Sequence, residues 1–196
     1  MERESSAIEE GETGAGMNRE GEILASERRP GAPLLVTAEL PADVLGWADG
    51  LRRAHYPPER NRLRAHVTLF HALPPSVEAE LMAILGELAR SAPPPARISG
   101  LMKLERGTAL AVHSPAMEDL HARIADRMHG LLTVQDSRAL RLHVTVQNKV
   151  SSAQAQALQA RLQAELAPVS FRFRGFGLYA WEEGLWREIR IVKFRG

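Results

Sequence analysis

Leu63-Arg64-Ala65-His66-Val67-Thr68 recurs, nearly residue for residue, as Leu140-Arg141-Leu142-His143-Val144-Thr145, an offset of 77 positions. This repeat limits the fold more than any other feature of the chain. The register carries into the segment that follows: Leu81, Ala83 and Leu85 match Leu158, Ala160 and Leu162. Around the two copies the element signals also recur. Strand-like runs are read at 34–40, 63–73, 98–107, 108–114 and 140–150, with two closing strands at 171–181 and 185–194. Between them lie helical patterns. One follows Pro41, with Val44, Trp47, Leu51 and Ala54 at helical spacing. A second runs from a cap at Ser76 to about Ser91, a third opens at Pro115, and a fourth begins at Ser151 or Ser152 and stops before Pro168. Each half therefore reads strand, helix, strand, helix, strand. The expected fold is α+β: two such units form a bilobal, pseudo-twofold, two-sheet structure with a central cleft and helices outside. The lobes are expected over 33–106 and 107–196.

Residues 1–32 differ in texture. They carry eight Glu and four Arg with few, aperiodic apolar residues. Such a segment buries too little to offset its ordering entropy, so it is read as a disordered tail with no chemistry assigned. Met17 offers a second start. The formal charge is +1 overall, which leaves the body mildly basic. That suits an anionic ligand but is far from the composition of a dedicated nucleic-acid coat. With no Cys, disulfides, thiolate nucleophiles and cysteine-ligated metals are excluded. No apolar run is long enough for a membrane span, and the N-terminus lacks a secretory signal; a cytoplasmic location is expected.

Alternation along a strand puts His66, Thr68 and Phe70 on one face, and His143, Thr145 and Gln147 on one face of the second copy. Val67, Leu69, Val144 and Val146 take the helix-packed sides. A pseudo-twofold would then bring two imidazoles and two hydroxyls into one pocket. Phosphodiester cleavage by in-line attack needs such a set: a base for the nucleophile, an acid for the leaving oxygen, and donors for the non-bridging oxygens. Imidazole serves both proton roles near neutral pH. Two histidines could instead hold zinc, but a third protein ligand is wanted and neither motif carries an acid. His71 alternates to the opposite face from His66 and reads as a strand-end residue. His113 ends a strand at the cleft or its rim. His55, His121 and His129 read as surface. Arg172 and Arg174 share one face, as an anionic groove's flank or as solvated charge. Tyr179, Trp181 and Trp186 invite base stacking or core sealing about equally.

Two H-x-T motifs, His66-Val67-Thr68-Leu69 and His143-Val144-Thr145-Val146, in a duplicated α+β chain resemble the two-histidine (2H) phosphoesterase superfamily. The likeness is greatest to its bacterial 2′-5′ RNA ligase-like, cyclic phosphodiesterase branch, and covers roughly residues 33–196. It implies a metal-independent enzyme, without cofactor, acting on 2′,3′-cyclic phosphates or 2′-5′ links of RNA ends or nucleotides, with reversible 2′-5′ ligation as a further expectation. It implies His66 and His143 as acid and base, and Thr68 and Thr145 as phosphate ligands. Phe70, Lys149, Tyr179 and Trp186 are the further candidate substrate contacts. Related bacterial enzymes often carry an Arg shortly after the second motif; here the stretch is Gln147-Asn148-Lys149, and Lys149 could stand in only as a point charge. A monomer with no obligate protein partner is expected, because one chain would supply both halves of the pocket. A non-catalytic RNA-end or nucleotide binder on the same scaffold is the alternative, and an adaptor working through the acidic tail a third reading.

Overall fold

A computed structural model describes residues 32–196; the expectation of a disordered tail lies outside the described residues, save for Ala32. The order of elements is β1 (Leu34–Glu39), α1 (Ala42–His55), β2 (Val67–Leu73), α2 (Glu78–Leu88), β3 (Pro95–Leu104), β4 (Gly107–His113), α3 (Pro115–Arg127), β5 (His143–Gln147), α4 (Ser152–Glu165), β6 (Val169–Arg172), β7 (Gly175–Glu182) and β8 (Leu185–Lys193), with short 3₁₀ turns at Pro58–Arg60 and Pro75–Val77. The doubled strand-helix-strand-helix-strand order is there, followed by a hairpin.

The helices start where local chemistry satisfies their first N–H groups. Ser151 caps α4, accepting from the Gln154 N–H while the Gln154 side chain returns to the Ser151 N–H, a reciprocal capping box. Ser114 caps α3 by accepting from Met117 N–H, with Pro115 at the first helical position. Ser76 does not cap α2. It lies in the 3₁₀ turn that Pro75 opens, and Val77 takes the cap position. In α1 the buried stripe is Val44, Leu45, Ala48 and Arg52. Trp47 and Leu51 pack only partly and Ala54 is exposed.

Two four-stranded antiparallel sheets result, ordered β2-β1-β7-β8 and β5-β4-β3-β6. The orders correspond. Each motif strand lies at a sheet edge beside the first strand of its own half, and the next place is taken by a strand from the other half of the chain. β3 leaves the first half to pair with β4, and β7 leaves the second to pair with β1. The expected lobe boundary at 106/107 therefore falls in the turn of a hairpin, and the lobes are set by the sheets rather than by the sequence halves. The single strand expected over 171–181 is likewise two. β6 ends at Arg172 in one sheet and β7 begins at Gly175 in the other. Phe173, between them, is fully buried, with its ring edge-on to Phe171 at 5.1 Å. One continuous core of aliphatic and Phe side chains runs under both sheets. Gly177 has a specific reason to lack a side chain: a Cβ there would collide with Thr37 Oγ1, Glu39 Oε1 and the Tyr179 ring.

Candidate active site

The two motif strands, β2 and β5, are edge strands that meet where the lobes adjoin. His66, Thr68, His143 and Thr145 all line one cleft of about 640 Å³. The two imidazoles are held identically. His66 Nδ1 lies 2.6 Å from the Arg64 carbonyl, and His143 Nδ1 lies 2.6 Å from the Arg141 carbonyl. A carbonyl only accepts, so each Nδ1 carries the hydrogen and each Nε2 is the nitrogen that gains or loses a proton.

The surroundings favour the neutral form of both rings. Burial pulls His66 down from 6.5 to about 4, helped by the Arg52 guanidinium and opposed by the Arg64 carbonyl bond. Burial also lowers His143, against its bond to Arg141. Arg52, Arg60, Arg62, Arg138 and Arg141 line the cleft against only Glu59 and Asp136, so the cavity favours an anion.

Edge strands need their outward backbone groups satisfied, and here each lobe does this for the other. From α1, Arg52 reaches across to donate Nη1 to the Thr145 carbonyl at 2.7 Å and Nε to Asn61 Oδ1 at 2.9 Å, with its guanidinium 4.4 Å over the Tyr56 ring. From the loop before β5, Asp136 accepts the backbone N–H groups of His71 at 2.9 Å and Ala72 at 3.2 Å. His121, on α3, bonds the Leu69 backbone.

Both motif strands carry a bulge at the same place in the repeat. Thr68 pairs with Thr37 but Phe70 with Val36, so Leu69 is extra. Thr145 pairs with Ala109 but Gln147 with Thr108, so Val146, 77 residues from Leu69, is extra. A bulge puts the residues beyond it on the opposite face. Three sequence-based expectations change in consequence. Phe70 turns from the cleft into the core and stacks on His121 at 4.4 Å. Gln147 turns inward, where Thr108 Oγ1 donates to its Oε1 at 3.1 Å. His71 comes onto the cleft side.

Two other candidate contacts also fall elsewhere. Lys149 follows β5 in a left-handed turn (φ 59°) and does not line the cleft. Tyr179 is buried on β7 and its hydroxyl donates to Glu39 Oε1 at 3.2 Å, beside Thr37, whose hydroxyl donates to the same oxygen at 2.6 Å. Burial lifts the Glu39 carboxyl, and burial and the Glu39 charge lift the Tyr179 phenol. Trp186 does line the cleft, edge-on to Trp181 at 5.1 Å across the β7–β8 hairpin. His113 lies outside it, in a shallow depression with Arg97 and Arg172. His55 is on α1, with Nε2 2.8 Å from Arg161 Nη2.

Arg52 and Asp136 line the cleft without having stood out in the sequence, and His71, read as a strand-end residue, and His121, read as surface, line it too. Each is a lone polar residue in a helix, loop or strand end, and only the bulges and the meeting of the lobes bring them in. Among the described residues, no group of three or more His, Cys, Asp or Glu is placed to hold a metal ion, and no helix is long and apolar enough to cross a membrane.

Comparison with known proteins agrees with this architecture. The structure of TT0787 from Thermus thermophilus superposes with a TM-score of 0.57 at 18% identity, covering 84% of this chain and 98% of that one. A structure described as a phosphoesterase gives 0.54 at 20% identity, covering 85% and 99%. E. coli LigT complexed with 3′-AMP gives 0.52 at 22% identity, again covering 85% and 99%. At these identities the likeness is one of fold. No curated protein matches in sequence. The model of the 2′-5′ RNA ligase superfamily matches residues 40–185, most of the chain and both motifs. The chain belongs to the 2′-5′ RNA ligase superfamily, the two-histidine phosphoesterases, whose enzymes work on phosphodiester bonds.

Proposed function

We propose that the protein is a metal-independent phosphodiesterase that opens 2′,3′-cyclic phosphates on RNA ends or small nucleotides. The observation that carries this reading is the twin fixation of His66 and His143. Both Nδ1 atoms are tied to carbonyls two residues back, which leaves two Nε2 atoms for the same positively lined cleft. Water attacks phosphorus as one imidazole takes its proton. A new P–O bond forms, the bond to one ribose oxygen breaks, and the other imidazole protonates that oxygen. His66, lowered to about 4 by burial and then by the Arg52 guanidinium, is the base in this reading, and His143 the acid. The Thr68 and Thr145 hydroxyls donate to the non-bridging oxygens as charge builds there. Trp186 and Trp181 offer a face for the nucleobase, and one chain suffices to build the pocket.

Incubation with 2′,3′-cyclic nucleotides, with products followed by phosphorus NMR, tests this directly. We expect turnover to a single phosphomonoester regioisomer, and at least about a 10²-fold loss of kcat in His66→Ala and in His143→Ala. Wild-type turnover in either variant refutes the assignment. Ligand binding without turnover would leave a nucleotide-binding module instead.

A further inference from the structure

We propose that His71, held by Asp136, is a third imidazole of the site and binds the substrate phosphate as a cation, the role for which the sequence offered Lys149. The inference rests on reading the cleft as a phosphate site and goes beyond the two motifs. Position supports it first. His71 follows His66 by five residues, and its counterpart in the second half is Asn148. The bulge at Leu69 leaves His71 within β2 on the cleft side, whereas Asn148 lies just past the end of β5 and does not line the cleft. Asn148 is uncharged and buried, and its Nδ2 has no partner among the described residues. His71 is thus the one of the pair that can bring a charge.

The ring is oriented for the task. His71 Nδ1 is 2.9 Å from Asp136 Oδ1, and the Asp136 side chain is 1% exposed. The same carboxylate takes two backbone N–H bonds from β2, and the Asp136 backbone N–H donates to Thr133 Oγ1 at 3.1 Å. Burial alone would raise Asp136, but the His71 ring and these N–H bonds hold it below its ordinary value. The acceptor is therefore an anion locked to the strand. With Nδ1 on a carboxylate, Nε2 is left for the cleft. An imidazole that donates to a carboxylate on one side and a phosphate oxygen on the other carries a hydrogen on both nitrogens and so a full positive charge.

The surroundings narrow the choice. Arg52 is committed to Asn61, to the Thr145 carbonyl and to the Tyr56 ring. Arg60, Arg62, Arg138 and Arg141 are exposed at the rim. His121 is tied to Phe70 and the Leu69 backbone. His71 is the one group whose charge depresses both motif histidines, which puts it within electrostatic reach of anything lying between them.

Calorimetric titration with inorganic phosphate tests the proposal without requiring turnover. Replacing a cationic donor by a neutral one should weaken phosphate binding about 10-fold or more in His71→Gln, and His71→Lys should restore much of it. On cyclic nucleotides His71→Gln should raise KM more than it lowers kcat. A loss caused only by loosening the Asp136 loop would not be rescued by Lys. In the wild-type protein, the His71 ring signals should shift with those of His66 and His143 as phosphate is added, a measurement that needs no variant to fold. Unchanged phosphate affinity in His71→Gln, or His71 signals that stay still while those of His66 move, overturns the proposal. Phosphate bound at His71 with no turnover of any cyclic nucleotide would overturn the phosphodiesterase reading and leave this one standing.

Discussion

Replacing Arg52 by Met keeps most of the aliphatic stem and removes the charge and donors, so the structure predicts two separable effects. Arg52 is 5% exposed and bonds Asn61 Oδ1 and the Thr145 carbonyl. Bonds from a charged donor contribute about 1.5–3 kcal/mol each, and the Thr145 carbonyl would lose its cross-lobe partner. Some of that loss is regained because a buried charge is no longer desolvated, which leaves a destabilisation of about 3 kcal/mol. For a domain of this size that corresponds to a fall in Tm of roughly 6–12 °C. The second effect is on His66, where Arg52 is the largest cause of lowering after burial. Without it the imidazole rises from about 4 part of the way to 6.5, because burial remains. Its neutral form is then lost at higher pH on acidification, and the acid limb of kcat/KM moves upward. Urea unfolding and NMR titration of the His66 ring read the two effects independently. A variant with the wild-type urea midpoint and an unmoved His66 titration would refute the cross-lobe role assigned to this guanidinium.

Other outcomes follow from the same geometry. In the free enzyme both motif imidazoles titrate below 6.5. The base must be neutral and the acid protonated, so kcat/KM should rise through an apparent pKa near 4, fall through a second below 6.5, and peak on the acid side of 6.5. A basic limb above about pH 7 would contradict the buried setting of the rings. Gly177→Ala puts a methyl group against Thr37, Glu39 and Tyr179, and should cost about 1–3 kcal/mol by overpacking; an unchanged unfolding midpoint would show that the network yields freely. Cyclic-nucleotide turnover should survive EDTA, whereas loss on chelation with rescue by zinc would favour a metal mechanism.

Much of this was legible without coordinates. The duplicated unit, the order of its elements and the pairing of each His with the Thr two residues on follow from local rules, namely strand alternation and the Pro and Ser signals at helix ends. The Ser151 box and the Ser114-Pro115 start are local in the same sense. The errors cluster where a local rule was carried past a point set by distant pairing. Alternation holds from His66 to Thr68 and fails at Phe70, because the register against β1 slips at Leu69. It fails the same way at Gln147, against β4.

The 77-residue repeat by itself determined that two His-Val-Thr strands exist and that they are equivalent. Folding then decided what surrounds them. The exchange of β3 and β7 between the halves sets which sheet each belongs to. The bulges choose His71 over Phe70, and the meeting of the two sheet edges brings in Arg52 and Asp136. Hydrophobic alternation is encoded within a few neighbouring residues. Strand exchange, register and cross-lobe hydrogen bonds depend on partners as many as 140 residues away, such as Glu39 and Tyr179, and no short window of the chain carries them.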